Sequence, residues 1–376
     1  MQRPTPTTGG AAAPDLPPPE AETTTSSSGG PVVACGDGVQ EPGEWCWTPP
    51  VELIVTDILF DIDAGDIDGD GATDLVLATD DGLLPITHAG GVWTLEATLP
   101  VTATQIRVVR CGRLDDDAID DVVATDDFYG LWRAFGSDLG LGVPVVQTIS
   151  ETAGALALGD VDGDGDLDAV LGSAFYGALM LFGGSPEGTL TTVGAPQIGW
   201  AATGVALGDL DADGFLDAVA TTLAPSLHVA LFEAGTPSSP TLTSYPSPAG
   251  RGSVTTADFD ADGNLDVARV DHATGTVRLW HGEGGPLGDF VDLAVSVTAR
   301  DVAAADFDAD GDVDLVVLGD DEVVPLDNQG DVQFDLRDAV ATPDTFALRL
   351  ADLDDDGVLD IIVAGAGGVR MVLPAP

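Results

Sequence analysis

The sequence predicts an all-β protein, a seven-bladed β-propeller of four-stranded antiparallel blades with its ring closed by an N-terminal strand and preceded by a disordered tether. Three observations predict it. An acidic loop of one design returns seven times, opening at Asp66, Arg113, Asp160, Asp209, Asp258, Asp306 and Asp352, so successive loops start 46 to 49 residues apart. Between loops the chain offers four short runs rich in Val, Leu, Ala and Thr, bounded by Gly, Pro or Asp. No run shows ten or more residues with a 3.6-residue apolar period, so helices are not expected. A period near 48 residues with four strands per copy describes one propeller blade, and seven copies describe a closed ring.

Residues 1–34 are a Thr, Pro, Gly and Ser tract that cannot bury enough apolar surface to order itself, and they read as a disordered tether. No apolar stretch of signal-peptide length follows Met1, so any export leader is expected upstream. Residues 35–50 form a short segment bracketed by Cys35 and Cys46, whose loop CGDGVQEPGEWC supplies turn residues, and a local disulfide is expected there. Cys111 reads as a small buried hydrophobe. The propeller is expected over residues 51–376.

Blade 1 begins with an inner strand over Ile58 to Gly65. The preceding VELIVTD, Val51 to Asp57, has no place in that blade. The last repeat ends one strand short, so Val51 to Asp57 should supply the outer strand of blade 7 and cover its edge. The third repeat shows the blade plan most clearly. GALALGD leads into the loop, LDAVLGS leaves it, GALMLFGG follows and TLTTVGAPQIG closes the unit.

The loops carry the chemistry. GDVDGDGDLDAV places Asp160, Asp162, Asp164 and Asp168 at positions 1, 3, 5 and 9, with Gly165 at position 6 where the backbone must turn. Five other copies keep the set: Asp66, Asp68, Asp70, Asp74; Asp209, Asp211, Asp213, Asp217; Asp258, Asp260, Asp262, Asp266; Asp306, Asp308, Asp310, Asp314; and Asp352, Asp354, Asp356, Asp360. Two carboxylates about 4 Å apart repel by roughly 4 kcal/mol at a surface-like dielectric. A hard divalent cation relieves that repulsion, and charge-dense, flexible, oxygen-only ligation suits calcium. About six calcium ions are expected, in a structural role. The second copy departs, with Arg113 at position 1 and Ala118 at position 6. A guanidinium there should pair with Asp115, Asp117 or Asp121 in place of the ion, leaving that loop without metal.

At these residues the sequence resembles the FG-GAP/VCBS repeats, the type found in the β-propeller of integrin α subunits. LGDVDGDGDLDAV, LGDLDADGFLDAV and LFGG followed by GAP carry the resemblance, which runs from Val51 to about Leu373. It implies calcium held between strands 1 and 2 of a blade by the acids at positions 1, 3, 5 and 9 and the backbone carbonyl of position 7. The segment from Cys35 to Cys46 resembles the start of cysteine-rich repeats of secreted myxobacterial proteins, which implies a secreted bacterial protein of that type. EF-hands fit less well, since the glutamate at position 12 is missing.

Composition narrows the function. Against 64 acids stand 12 basic residues, all arginine, for a formal charge of −52. That charge argues against nucleic acid and anionic membranes as partners, and no apolar run is long enough to span a bilayer. Six ions would leave an acidic surface, for which solvation in a saline habitat is a competing explanation. No nucleophile motif, phosphate loop or paired-histidine site occurs, and acids that bind calcium are poor proton donors. The expected function is a non-enzymatic, extracellular or cell-surface binding or adhesion module, monomeric, with a glycan or protein ligand. A polysaccharide lyase or hydrolase and a passive surface spacer are the alternatives.

The ligand face is expected opposite the acidic loops, where strands 2 and 3 and successive blades are joined. Phe128 and Tyr129, and Phe175 and Tyr176, occupy the 2–3 connections of neighbouring blades, and Trp200 follows in the next 4–1 connection. Arg107, Arg251 and Arg300 lie at similar offsets ahead of their loops. Aromatic platforms beside arginines suit a sugar, an acidic glycan or a peptide. The other reading of these residues is packing between blades for the aromatics and pairing with surrounding acids for the arginines.

Overall fold

The structure is a computed structural model that describes residues 47, 50–55, 57–101, 105–233, 237–295, 297–330, 332–354 and 356–373. The tether and the Cys35–Cys46 pair fall outside the described residues. Those described contain strands, turns and no helix.

Seven antiparallel sheets follow one another along the chain. Blade 3 is typical, with strands Ala153–Gly159, Asp168–Ser173, Leu179–Gly183 and Thr191–Gly194 in spatial order. Its outer strand is only four residues long, shorter than the segment TLTTVGAPQIG suggests. Each inner strand packs beside that of the next blade, and the inner strand of blade 7, Thr345–Ala351, returns to that of blade 1, Leu59–Gly65. Strand 2 is buried along its whole length in every blade, as in Asp74–Thr79 and Asp360–Gly365, because a neighbouring blade covers each face. That double burial explains why these strands read as continuous apolar runs without alternation. Outer strands face solvent.

The core is correspondingly divided into seven clusters, one at each seam between blades. At the closing seam, Leu59, Ile62, Leu75 and Leu77 of blade 1 pack on Ile362, Ala364, Val369 and Met371 of blade 7. The N-terminal strand Val51–Ile54 pairs antiparallel with Gly368–Val372, with Val51 opposite Met371 and Ile54 opposite Gly368. It supplies the fourth strand of blade 7, as the sequence predicts. Val55, 2% exposed, anchors it in the closing seam.

A repeated irregularity matters for the site. Five inner strands carry a bulge near their start, leaving Phe60, Arg107, Gly154, Thr203 and Phe346 without a register partner on strand 2. An extra residue in one strand re-aims its side chain and increases local twist. All five bulged residues line the central cavity described below.

Candidate functional sites: acidic loops and a central funnel

The acidic loops join strands 1 and 2 at one end of the ring. The position 1 carboxylate folds back over its own loop and accepts the N–H of the position 6 glycine, as from Gly71 to Asp66 (3.1 Å), Gly165 to Asp160 (3.0 Å) and Gly357 to Asp352 (2.9 Å). The position 5 carboxylate accepts the N–H of position 7, as from Ala72 to Asp70 at 2.9 Å. Position 6 adopts φ between 88° and 100° in all six loops that keep a glycine there, a region costly for any residue with a Cβ. These bonds hold the carboxylates in convergence. Ligand atoms of Asp66, Asp68 and Asp70 lie within 4.8 Å of one another, as do those of Asp160, Asp162 and Asp168, and of Asp209, Asp211 and Asp217. Such groups have the donor type and spacing to hold a divalent cation.

Position 9 has a second role. Its carboxylate is fully or almost fully buried in every blade. One oxygen accepts the N–H of position 2, as from Val161 to Asp168 (2.8 Å) and Leu353 to Asp360 (2.8 Å). In blades 1 to 6 the other oxygen accepts an N–H at or just past the end of strand 3, as from Gly184 to Asp168 (2.7 Å) and Asn328 to Asp314 (2.8 Å). The residue therefore clasps strands 1, 2 and 3 together. Burial, reinforced by the neighbouring acids, raises the pKa of Asp74, Asp168 and Asp217 to about 6 and of Asp314 and Asp360 to about 7, although the backbone N–H bonds oppose the shift. Asp266 is raised for the same reason.

The blade 2 loop is built differently. Arg113 pairs with Asp120 at 3.7 Å and not with Asp115, Asp117 or Asp121. Asp120 is drawn that way because its backbone and side chain already dock on the blade 1 loop, through bonds to the carbonyl and N–H of Asp66 (2.8 and 3.0 Å). The backbone of Asp115 instead forms an isolated antiparallel β-bridge with that of Glu187 in blade 3. Ala118 does not take positive φ. Asp121 nevertheless keeps the clasp, accepting from Leu114 (2.9 Å) and Gly136 (2.8 Å). Sequence reasoning missed this role, although an aspartate retained at position 9 of a loop that lost its first acid was a signal for it. It also missed position 4, where Ala212, Ala261 and Ala309 sit at φ of 56–57°. In blade 5, His281 reaches the loop, its Nδ1 3.1 Å from Asp260.

At the opposite end of the ring, the starts of the inner strands surround a cavity of about 340 Å³ to which all seven blades contribute. Arg107, Arg251 and Arg300 line it together, joined by Arg110 and Arg349, which sequence reasoning did not single out. The deeper pair is occupied. Arg349 Nη2 lies 2.7 Å from Asp61 and its Nε 3.2 Å from Asp63, while Arg110 lies 2.8 Å from Asp61. Burial works against the charge on Arg349, but Asp61, Asp63 and Asp301 outweigh it and raise its pKa above the ordinary value. Burial raises the Asp63 pKa even with Arg110 and Arg349 beside it. At the mouth, Arg107 stacks over Phe60 at 4.1 Å and pairs loosely with Asp127 at 3.5 Å, and Arg300 holds Asp320.

The five aromatics occupy the turns of this same face and are exposed: Phe128 55%, Tyr129 50%, Phe175 73%, Tyr176 68% and Trp200 61%. They do not fill the seams between blades. The turn at Gly177 accepts the N–H of Ile198 at 2.7 Å, which brings the Trp200 segment against the Phe175–Tyr176 turn. Arg107 and Arg300 have acid partners, and Arg251 has none among the described residues. Among the described residues no helix is long and apolar enough to cross a membrane.

A family model described as an FG-GAP-like repeat matches residues 160–220, 209–269 and 258–317. A search of curated proteins found no match. Two solved structures share the fold, both of BBS1N in complex with ARL6DN. One, soaked with lead, has a TM-score of 0.64 at 14% identity, covering 90% of this chain and 98% of that one. The other, soaked with mercury, gives the same score and identity over 88% and 97%. The chain is a seven-bladed β-propeller with FG-GAP-like repeats in its central blades.

Proposed function

We propose that the protein is a non-enzymatic binding module of the cell surface or extracellular medium, in which calcium braces the blades and the opposite face takes a glycan or protein ligand. The observation that carries this reading is the separation of chemistries. Acids converge in the loops at one end, while the funnel and five exposed aromatics share the other. Six loops have four acids and a position 6 glycine, and they hold one ion each; the Arg113 loop holds none. A role in binding also fits the two solved propellers of this fold, each captured with ARL6DN. Dissociation constants of extracellular calcium modules, roughly 10⁻⁴ to 10⁻³ M, suit an external medium.

The test is a screen of extracellular glycans and proteins with and without calcium, repeated with Tyr129 and Tyr176 both changed to alanine. Binding should be lost in the double variant while the melting temperature holds, because both rings are at least half exposed. A ligand bound equally well by the variant would refute the assignment of this face.

A further inference from the structure

We infer that the funnel is an anion site for the carboxylate of an acidic polysaccharide, with Arg251 as its principal contact; this rests on the reading of that face as the ligand surface and names the ligand class. The chain has five acids for every base, yet five of its 12 arginines line this one cavity, with only Asp61 and Asp301 as acidic lining. Arg110 and Arg349 are committed to the acids on its floor. Arg251, half a ring away, is exposed and has no acid partner among the described residues. A free arginine in so acidic a chain requires explanation, and an anion that arrives from outside supplies it.

A second observation lies directly behind Arg251. Arg269, on strand 2 of blade 5, is 1% exposed and has no ion pair among the described residues. Its Nη2 donates to the carbonyl of Gly250 at 3.0 Å, while its Nε and Nη1 find no partner. Its guanidinium presses against the funnel wall, 3.2 Å from where a Cβ on Gly252 would stand. A side chain at 252 would strike the Val270 carbonyl first and crowd the guanidinium behind it. A buried guanidinium outside any ion pair is costly, and burial lowers its pKa although the Asp271 carboxylate acts to raise it. An anion seated beside Arg251 would lie one glycine away from this second guanidinium and would offset its field.

The mouth already shows which anion fits. Arg107 and Arg300 hold the carboxylates of Asp127 and Asp320, whose side chains are 31% and 45% exposed. Exposed pairs of that kind are weak, so a ligand carboxylate can exchange for them, and the guanidinium fork matches it in two bonds. The exposed rings of Phe128, Tyr129, Phe175, Tyr176 and Trp200 on consecutive blades offer flat faces for sugar rings. Each inner strand is the free edge of its sheet toward the channel, so a peptide added as a strand is the alternative occupant that poly-glutamate tests. A uronic-acid chain provides ring faces and carboxylates together.

The test is calorimetric titration of the calcium-loaded protein with trigalacturonate, its methyl ester and poly-glutamate. Trigalacturonate should bind saturably and the ester at least about tenfold more weakly. Arg251→Ala should weaken trigalacturonate by about 10- to 100-fold, Arg251→Lys should restore part of the loss, and neither should shift the melting curve. Equal binding of acid and ester, full affinity in Arg251→Ala, or poly-glutamate bound more tightly than trigalacturonate would overturn the inference. If the ester binds through Tyr129 and Tyr176 without Arg251, the ligand face stands and this inference alone fails. If no probe in this panel or the wider screen binds, both fail.

Discussion

Replacing Arg349 with methionine should destabilise the ring at its closing seam. Arg349 belongs to blade 7, but it reaches Asp61 and Asp63 of blade 1 at 2.7 and 3.2 Å and Asp301 of blade 6 at 3.5 Å. Asp61 also accepts the Val109 N–H at 3.2 Å and pairs with Arg110 of blade 2. One buried cluster thus ties four consecutive blades around the funnel floor. Methionine keeps the packed stem and removes the charge, which leaves Asp63 and Asp301 without their arginine in a site where Asp61 is only 7% exposed. Breaking a buried pair from one side costs about 3–5 kcal/mol. With an unfolding entropy of about 2.1 cal/mol/K per residue over roughly 320 ordered residues, that loss lowers the melting temperature by roughly 5–7 °C. Calorimetry in saturating calcium is the assay, with Arg370→Met as control. Arg370 joins the closing strands through Glu52, whose side chain is 60% exposed, so its loss should cost no more than about 1 kcal/mol. Adding Asp63→Asn to Arg349→Met should recover part of the stability, because it removes one of the stranded charges while Asp61 keeps Arg110. An Arg349→Met protein that melts within about 1 °C of the parent would refute the reasoning, since even 1 kcal/mol moves the midpoint by more than that.

Three other outcomes are expected. Chelation should lower the melting temperature strongly, since each site adds about 2.7 kcal/mol when calcium is a hundredfold above its dissociation constant, and metal analysis should return six ions per chain; identical curves in EGTA and in millimolar calcium would sink the claim. In EGTA the protein should gain stability as pH falls from 8 to 5, because the position 9 carboxylates titrate near 6 to 7 when folded and near 3.9 when unfolded. Their contribution is complete only below the unfolded value and is lost as pH rises through 6 to 7, so a calcium-free protein that melts higher at pH 8 would contradict it; in calcium the trend should reverse, as protons compete with the ion. Deleting Val51–Val55 should expose the edge of Gly368–Val372 and remove the buried Val55, which light scattering would register as aggregation, whereas deleting residues 1–30 should leave a well-behaved protein.

Much of the ring was legible because a period near 48 residues is a property of the sequence itself, and so was the closing role of Val51 to Asp57, which was left over from blade 1. The acid sets were legible for the same reason. Three things were not. The bulges at Phe60, Arg107, Gly154, Thr203 and Phe346 add one residue to strands whose pattern is already irregular, so nothing local marks them. The pairing of Arg349 with Asp61 spans 288 residues, and a single sequence holds no trace of which distant acid an arginine meets. The partner of Arg113 was misjudged because Asp120 is positioned by the neighbouring blade, through Asp66, and not by its own loop. The exposure of the aromatics, by contrast, agrees with their placement in turns, where the chain leaves no second blade to cover them.

The closing strand also sets a clock on synthesis. Val51 pairs with Met371, so the first strand of the ring to be synthesised waits for almost the last strand of the ring. At about 5–20 residues per second, the 320 residues between them take roughly 16–64 s. Through that interval VELI is an unpaired strand and each finished blade presents one uncovered face, because its partner blade has not been made. Sequential blades can pack on their predecessors as they emerge, but blade 1 keeps its face toward blade 7 bare until the end. The aggregation hazard is therefore concentrated in nascent chains, and it falls on the surface formed by Leu59, Ile62, Leu75 and Leu77.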